Sequence, residues 1–187
     1  MKKNVFIAIA ACLLTGILQS CGGSNSNKAE TDSAQQINEA VKPVDDQSSK
    51  FAVEAANGGM SEVAMGKLAQ EKATNPRVKA FGTMMVNDHS RIDDALKALA
   101  ATLNITLPAA INPDEQKHLD ELAKKSGKDF DKEYMKMMVD DHNMDVKAFE
   151  DASQSLTNAD IKAFAATTLI TLKVHQDSAR AIKDALK

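Results

Sequence analysis

The chain has 187 residues, 26 acidic against 23 basic side chains, a formal net charge of −3, one tyrosine, no tryptophan and two cysteines. That length allows one domain with a real core and hardly two, and a mildly acidic chain without a basic stripe argues against nucleic-acid binding. Plentiful Ala, Lys, Leu, Met and Asp, with few aromatics, predict helices rather than sheets.

The first element is a leader. Lys2 and Lys3 precede an apolar run from Val5 to Leu18, which closes on Leu18-Gln19-Ser20-Cys21 with Gly22 and Gly23 behind. About 14 apolar residues fall short of the roughly 20 needed to span hydrocarbon, so the pattern is that of an export signal over residues 1–20. The tetrapeptide resembles a bacterial lipoprotein cleavage box. The resemblance implies that Cys21 is acylated and becomes the first residue of the mature chain, whose partner is then a membrane. The expected location is the bacterial cell envelope, at the outer membrane, with the domain in the periplasm or at the surface. Cys12 would leave with the leader and Cys21 would carry lipid, so no thiol remains for a disulfide, a metal or catalysis. Residues 21–49 are polar and charged and read as a flexible tether.

Helical periodicity then runs to the C-terminus. It predicts a helix over 50–74, a turn at Asn75-Pro76, and a second helix to Leu103, with Pro76 tolerated in the first turn. After a loop to Ile111, Asn112 caps a short helix that has Pro113, Asp114 and Glu115 at its N-terminus and Gly127 at its end. A third long helix covers 128–155, Leu156-Thr157-Asn158 turns, and a fourth fills the remainder. Phe81-Gly-Thr-Met-Met-Val-Asn-Asp-His89 is echoed by Tyr134-Met-Lys-Met-Met-Val-Asp-Asp-His142. One such echo is too short for a solenoid and suggests two helices in equivalent places of a bundle. The expected architecture is an all-α, up-down-up-down four-helix bundle with a short extra helix between the second and third long ones.

Each long helix carries a polar residue on its apolar stripe. Val78, Met85, Ile92 and Leu99 recur every seven residues, and His89 lies among them; Ile161, Thr168, His175 and Ile182 form a strict heptad. His142, with Asp141 and Asp145, interrupts the face of Phe130, Tyr134, Met138 and Phe149. Glu62 falls on the face of Phe51, Ala55, Gly58, Met65 and Ala69. Counted from the turns, Glu62 is 12 residues before Thr74, His89 13 after Pro76, His142 14 before Leu156 and His175 16 after Ala159. At about 1.5 Å per residue all four reach nearly one level.

A buried polar layer costs energy unless its members satisfy one another. In one reading Glu62 and an aspartate accept hydrogen bonds from the imidazoles, and the network fixes helix register without metal. In the other, Glu62, His89, His142 and His175 surround one transition-metal ion, Zn, Cu, Fe or Ni. Asp88, Asp141 and Asp145 would then be alternates or supports, and Met85 and Met138 soft donors. Acid–base catalysis is a third use of the same groups. Met84 and Met137 read as core filler, His118 as a surface or rim residue, and the Asp93-Asp94 and Lys124-Lys125 pairs as solvated faces. No nucleophile elbow or phosphate loop is present, which leaves the chain without a sequence signature of an enzyme.

At Glu62-Val-Ala-Met-Gly-Lys-Leu-Ala69, Val78-Lys-Ala-Phe-Gly-Thr-Met-Met-Val-Asn-Asp-His89 and Leu169-Ile-Thr-Leu-Lys-Val-His175, the chain resembles a bacterial family of ferritin-like four-helix proteins. Members are labelled as a domain of unknown function or "putative outer membrane protein". The resemblance covers about residues 50–187 and implies a ferritin-like bundle exported to the envelope, with no settled activity. Di-iron bundles carry Glu-x-x-His on two helices; here Val86, Val139 and Leu172 stand three before the histidines, so iron storage and ferroxidase chemistry are not implied. The rival to a metal-binding protein is a structural or stress-related interaction protein whose outer helix faces hold a protein partner.

Overall fold

The computed structural model describes residues 29–186. Among them there are six helices and no strand: α1 (Ala29–Val41), α2 (Asp46–Lys72), α3 (Pro76–Leu103), α4 (Pro113–Ala123), α5 (Gly127–Ser155) and α6 (Ala159–Ala185). The leader, Cys21 and the start of the expected tether lie outside the described residues.

The helix starts follow local chemistry. Asn75, Asn112 and Asn158 accept hydrogen bonds from backbone N–H groups of the first turns of α3, α4 and α6, and Pro76 and Pro113 occupy first-turn positions that need no donor. Two boundaries depart from expectation. α2 opens at Asp46 because Asp45 accepts from Ser48 N at 2.9 Å and from Ser48 Oγ at 2.7 Å. α4 stops at Ala123, and Gly127, at φ +58°, opens α5 instead of closing the helix before it.

The tether expectation fails for residues 29–49. Residues 29–41 are helical and packed on α2, with Thr31, Ala34 and Asn38 buried. The Asn38 side chain donates to Thr106 O and accepts from Thr106 N, at 2.9 and 2.8 Å, and so pairs fully with one backbone unit after α3. The docking face is built from small and amide side chains, while Ile37 and Val41 face outward. A search for large apolar residues therefore points at the wrong side of this helix.

α2 packs along α3 and α5 along α6, each pair joined by a three-residue turn; α3 also meets α6, α2 meets α5, and α4 lies over α2 and α5. Close approach of α2 and α3 requires Gly82, where a Cβ would fall 2.9 Å from Gly66 O. Asp131, buried near the start of α5, accepts from Thr74 N, Thr74 Oγ and Asn75 N at 2.6 to 3.0 Å and pins the α2–α3 turn. Among the described residues no helix is long and apolar enough to cross a membrane.

Two apolar clusters fill the interior. Met65, Phe81, Met85, Tyr134, Met138, Ala179 and Ile182 belong to one; Ala52, Ala56, Leu96, Phe149, Leu172 and Ala165 belong to the other. On each of the four long helices the boundary between them falls at the polar residue: Glu62 on α2, His89 on α3, His142 on α5 and His175 on α6. The polar layer is thus a seam across the core, as the counting from the turns requires.

Candidate metal centre

His142 and His175 are fully enclosed, His89 is 2% exposed and Glu62 4%. The ring centroids of the three histidines lie 5.2 to 5.8 Å from one another. One ring nitrogen from each sits within 4.8 Å of one from the other two.

Which nitrogen faces inward follows from what the other one touches. His89 Nδ1 is 2.8 Å from Glu62 Oε2. His142 Nδ1 is 2.9 Å from the carbonyl oxygen of Met138, one turn earlier on its own helix, and His175 Nε2 is 3.0 Å from Asp88 Oδ2. A carbonyl or an ionised carboxylate only accepts, so each of these nitrogens carries the proton. His89 Nε2, His142 Nε2 and His175 Nδ1 then carry lone pairs, and all three are buried without any hydrogen-bond partner. Three imidazole lone pairs gathered in a dry core repel one another and cost the desolvation of three acceptors. A cation at their meeting point removes both penalties. The donor set fits a transition-metal ion by number, element and tautomer.

The electrostatics keep the three imidazoles neutral. Burial pushes His89 down to about 4, and burial likewise lowers His142 and His175, the neighbouring imidazoles adding to the effect. The surrounding carboxyls shift the other way. Burial raises Glu62 to about 7, opposed by His142 and reinforced by Asp141, Asp93 and Glu115. Burial also raises Asp141 to about 7, with Asp145 and Glu115 adding to it, and carries Asp145 well above the carboxylate range.

The structure therefore sorts the residues singled out in the sequence. His89, His142 and His175 converge; Glu62 stands behind them, on the protonated nitrogen of His89 and 3.4 Å from that of His142. Asp88 orients His175 and is itself held by Arg91. Asp145 turns toward Glu62, whereas Asp141 lines a surface groove beneath α4 with His118, Met137 and Met144. Met85 and Met138 give their side chains to the apolar core, and Met138 serves the site only through its backbone oxygen. His118 is exposed, as expected. Asp93 corrects the reading of Asp93-Asp94 as a solvated pair: Asp94 is exposed, but Asp93 is buried, its Oδ1 without a partner. Its place one turn after His89, on the same face, is the signal that the charge pattern obscured.

An all-helical bundle with three convergent buried imidazoles is the class that fold and site define. Residues 31–182 match the family described as Domain of unknown function (DUF4142), and since this span takes in most of the chain, the protein belongs to that family. No curated protein and no solved structure matches the chain.

Proposed function

We propose that this is a lipid-anchored protein of the bacterial cell envelope that binds one transition-metal ion through His89 Nε2, His142 Nε2 and His175 Nδ1. The observation that carries the metal reading is the set of three buried ring nitrogens with no partner, each opposite a nitrogen that has one. A network that served only to fix helix register would pair both nitrogens of each ring within the protein. Three nitrogen donors with no thiolate among the described residues suit Zn, Cu, Fe or Ni, and leave a further coordination position open. The hairpin pairs α2–α3 and α5–α6 support a ferritin-like up-down-up-down arrangement, with α4 as the short extra helix and α1 as an addition to it. The leader and Leu18-Gln19-Ser20-Cys21 support export, acylation of Cys21 and attachment at the outer membrane. The role is binding rather than catalysis.

The test is a titration of the full chain with Zn²⁺ or Cu²⁺ at pH 7.5, followed by thermal unfolding. The metal should stabilise the chain by RT ln(1 + [L]/Kd), about 2.7 kcal/mol at a hundredfold excess over Kd. His89→Ala, His142→Ala and His175→Ala should each remove most of the gain, and His118→Ala none of it. Absence of any shift, or equal loss in the His118 variant, would reject the metal. Cys21→Ser should abolish fatty-acid labelling and leave unprocessed precursor; normal processing would reject the anchor.

A second reading, a protein-interaction role, is favoured by Ile170 and Val174, one turn apart on α6 and 69% and 56% exposed. Metal-independent co-purification that is lost on Ile170→Asp would support it.

A further inference from the structure

The three imidazoles are shut off from solvent, so an ion that reaches them must open a way in. The group behind each ring shows where the cover is thinnest. Behind His142 the outer nitrogen ends on a carbonyl oxygen of its own helix, and the Met138 side chain there is packed in the apolar core. Behind His89 stands Glu62, 4% exposed, on a helix that α4 roofs over. Asn112 N donates to Asn57 Oδ1 at 2.8 Å and Ser61 Oγ donates to Glu115 Oε2 at 2.7 Å, with Asn57 and Ser61 both buried. Behind His175 stands Asp88, whose side chain is 25% exposed while that of His175 is 1%. A single carboxylate therefore separates this imidazole from water. Arg91 pairs with that carboxylate: its Nη2 donates to Asp88 Oδ1, and its Nε donates to Asn87 O at 3.1 Å. The exposed guanidinium thus lies across Asp88 as a strap.

We infer that a metal ion enters and leaves the histidine cluster between α3 and α6, at Asp88, with His175 as the door and Arg91 as its latch; this presupposes that the cluster binds a metal. The His175 ring lies between Asp88 and the meeting point of the lone pairs, because one of its nitrogens faces each. Swinging the ring aside breaks its one hydrogen bond to Asp88. An exposed ion pair such as that of Arg91 with Asp88 contributes little to stability, so the strap lifts readily. Lifting it frees Asp88 Oδ1, the first oxygen donor an incoming dication meets, while Oδ2 still holds the ring that receives the ion next. The latch acts by charge as well as by contact. A guanidinium about 6 Å from the path of a dication slows its approach about three- to tenfold at low ionic strength, and salt screens the effect.

Two rates of the full chain test the route: Zn²⁺ uptake, followed by stopped flow as depletion of free Zn²⁺ from a fluorescent indicator, and Zn²⁺ release into excess chelator. Arg91→Ala should speed uptake about three- to tenfold at low ionic strength, and Arg91→Glu should speed it further, with both gains shrinking as salt is added. Release from Arg91→Ala should also quicken, because a latch acts in both directions, so the equilibrium Kd moves less than either rate. Ser61→Ala, which loosens the roof formed by α4, should leave both rates unchanged. Helical circular dichroism should be the same throughout, since Arg91 is an exposed side chain. Normal Zn²⁺ affinity with unchanged rates in both Arg91 variants would overturn the route and leave the three-histidine centre standing. Faster exchange in Ser61→Ala alone would overturn it too and put the entrance beneath α4. Failure of the wild-type chain to retain Zn²⁺ at equilibrium would overturn the metal reading and the route together.

Discussion

Each histidine of the cluster is oriented by an oxygen of different standing: a buried carboxylate for His89, a backbone carbonyl for His142 and a partly exposed carboxylate for His175. The carbonyl costs nothing to maintain, because Met138 lies one turn before His142 on the same helix. The Asp88–His175 contact joins α3 to α6, and it can be removed without opening the core, since the Asp88 side chain is 25% exposed. Asp88→Ala is therefore expected to leave the chain folded and to weaken Zn²⁺ binding by about 10- to 100-fold, the usual effect of losing the acceptor behind a ligating imidazole. Isothermal titration of wild type and variant reads the difference. An unchanged Kd would show that packing alone orients His175.

At the level of elements, the same economy recurs: single polar side chains lock pieces of backbone that apolar packing does not reach. Asp131 does so for the α2–α3 turn, and Asn38 for α1. The latter gives a sharp expectation, because both Asn38 bonds go to the backbone N–H and C=O of one residue, Thr106, and both disappear together. Asn38→Ala should cost about 1 to 3 kcal/mol locally, the penalty of leaving buried backbone groups unsatisfied. Hydrogen exchange should speed up across Ala29–Val41 and Ile105–Thr106, while α3, α5 and α6 stay protected. Equal acceleration throughout would mean that α1 unfolds only with the whole domain.

For the whole molecule, the seam makes stability depend on pH, in opposite senses with and without metal. Folding raises Glu62 from 4.5 to about 7 and Asp141 from 3.8 to about 7, chiefly by burial. A carboxyl so raised contributes stability that is fully present below its unfolded value and is lost as pH rises through its folded one. The histidines act the other way: burial lowers His89 from 6.5 to about 4 and lowers His142 and His175 as well, so as pH falls toward and through 6.5 unfolding takes up protons and stability falls. Between pH 8 and 6.5 this uptake partly offsets the gain from the raised carboxyls, and the metal-free chain should gain less than about 1 kcal/mol as pH drops. The metal-loaded chain should change the other way over that interval, because protons compete for the ligands. Urea unfolding at the two pH values, with and without chelator, separates the cases; a chelated chain more stable at pH 8 than at 6.5 would contradict the raised carboxyls.

Much of this was legible in the chain itself. The heptads of Val78 to Leu99 and Ile161 to Ile182, the asparagine caps and the two short turns determined the four long helices, and equal counts from the turns placed Glu62, His89, His142 and His175 in one seam, because helical rise and periodicity are local properties of backbone and apolar spacing. α1 was hidden, since its docking face is Thr31, Ala34 and Asn38 and its value lies in bonds to a loop 68 residues away. So was the burial of Asp93, which depends on a neighbouring helix having glycine at position 59. Sequence could gather the three imidazoles at one height but not assign their roles: only the tertiary structure decided which nitrogen of each ring meets an acceptor and which is left bare. It also placed Glu62, a candidate ligand by sequence, behind the three histidines, against the protonated nitrogen of His89. Those outcomes hang on distances between side chains of different helices, and no local periodicity encodes them.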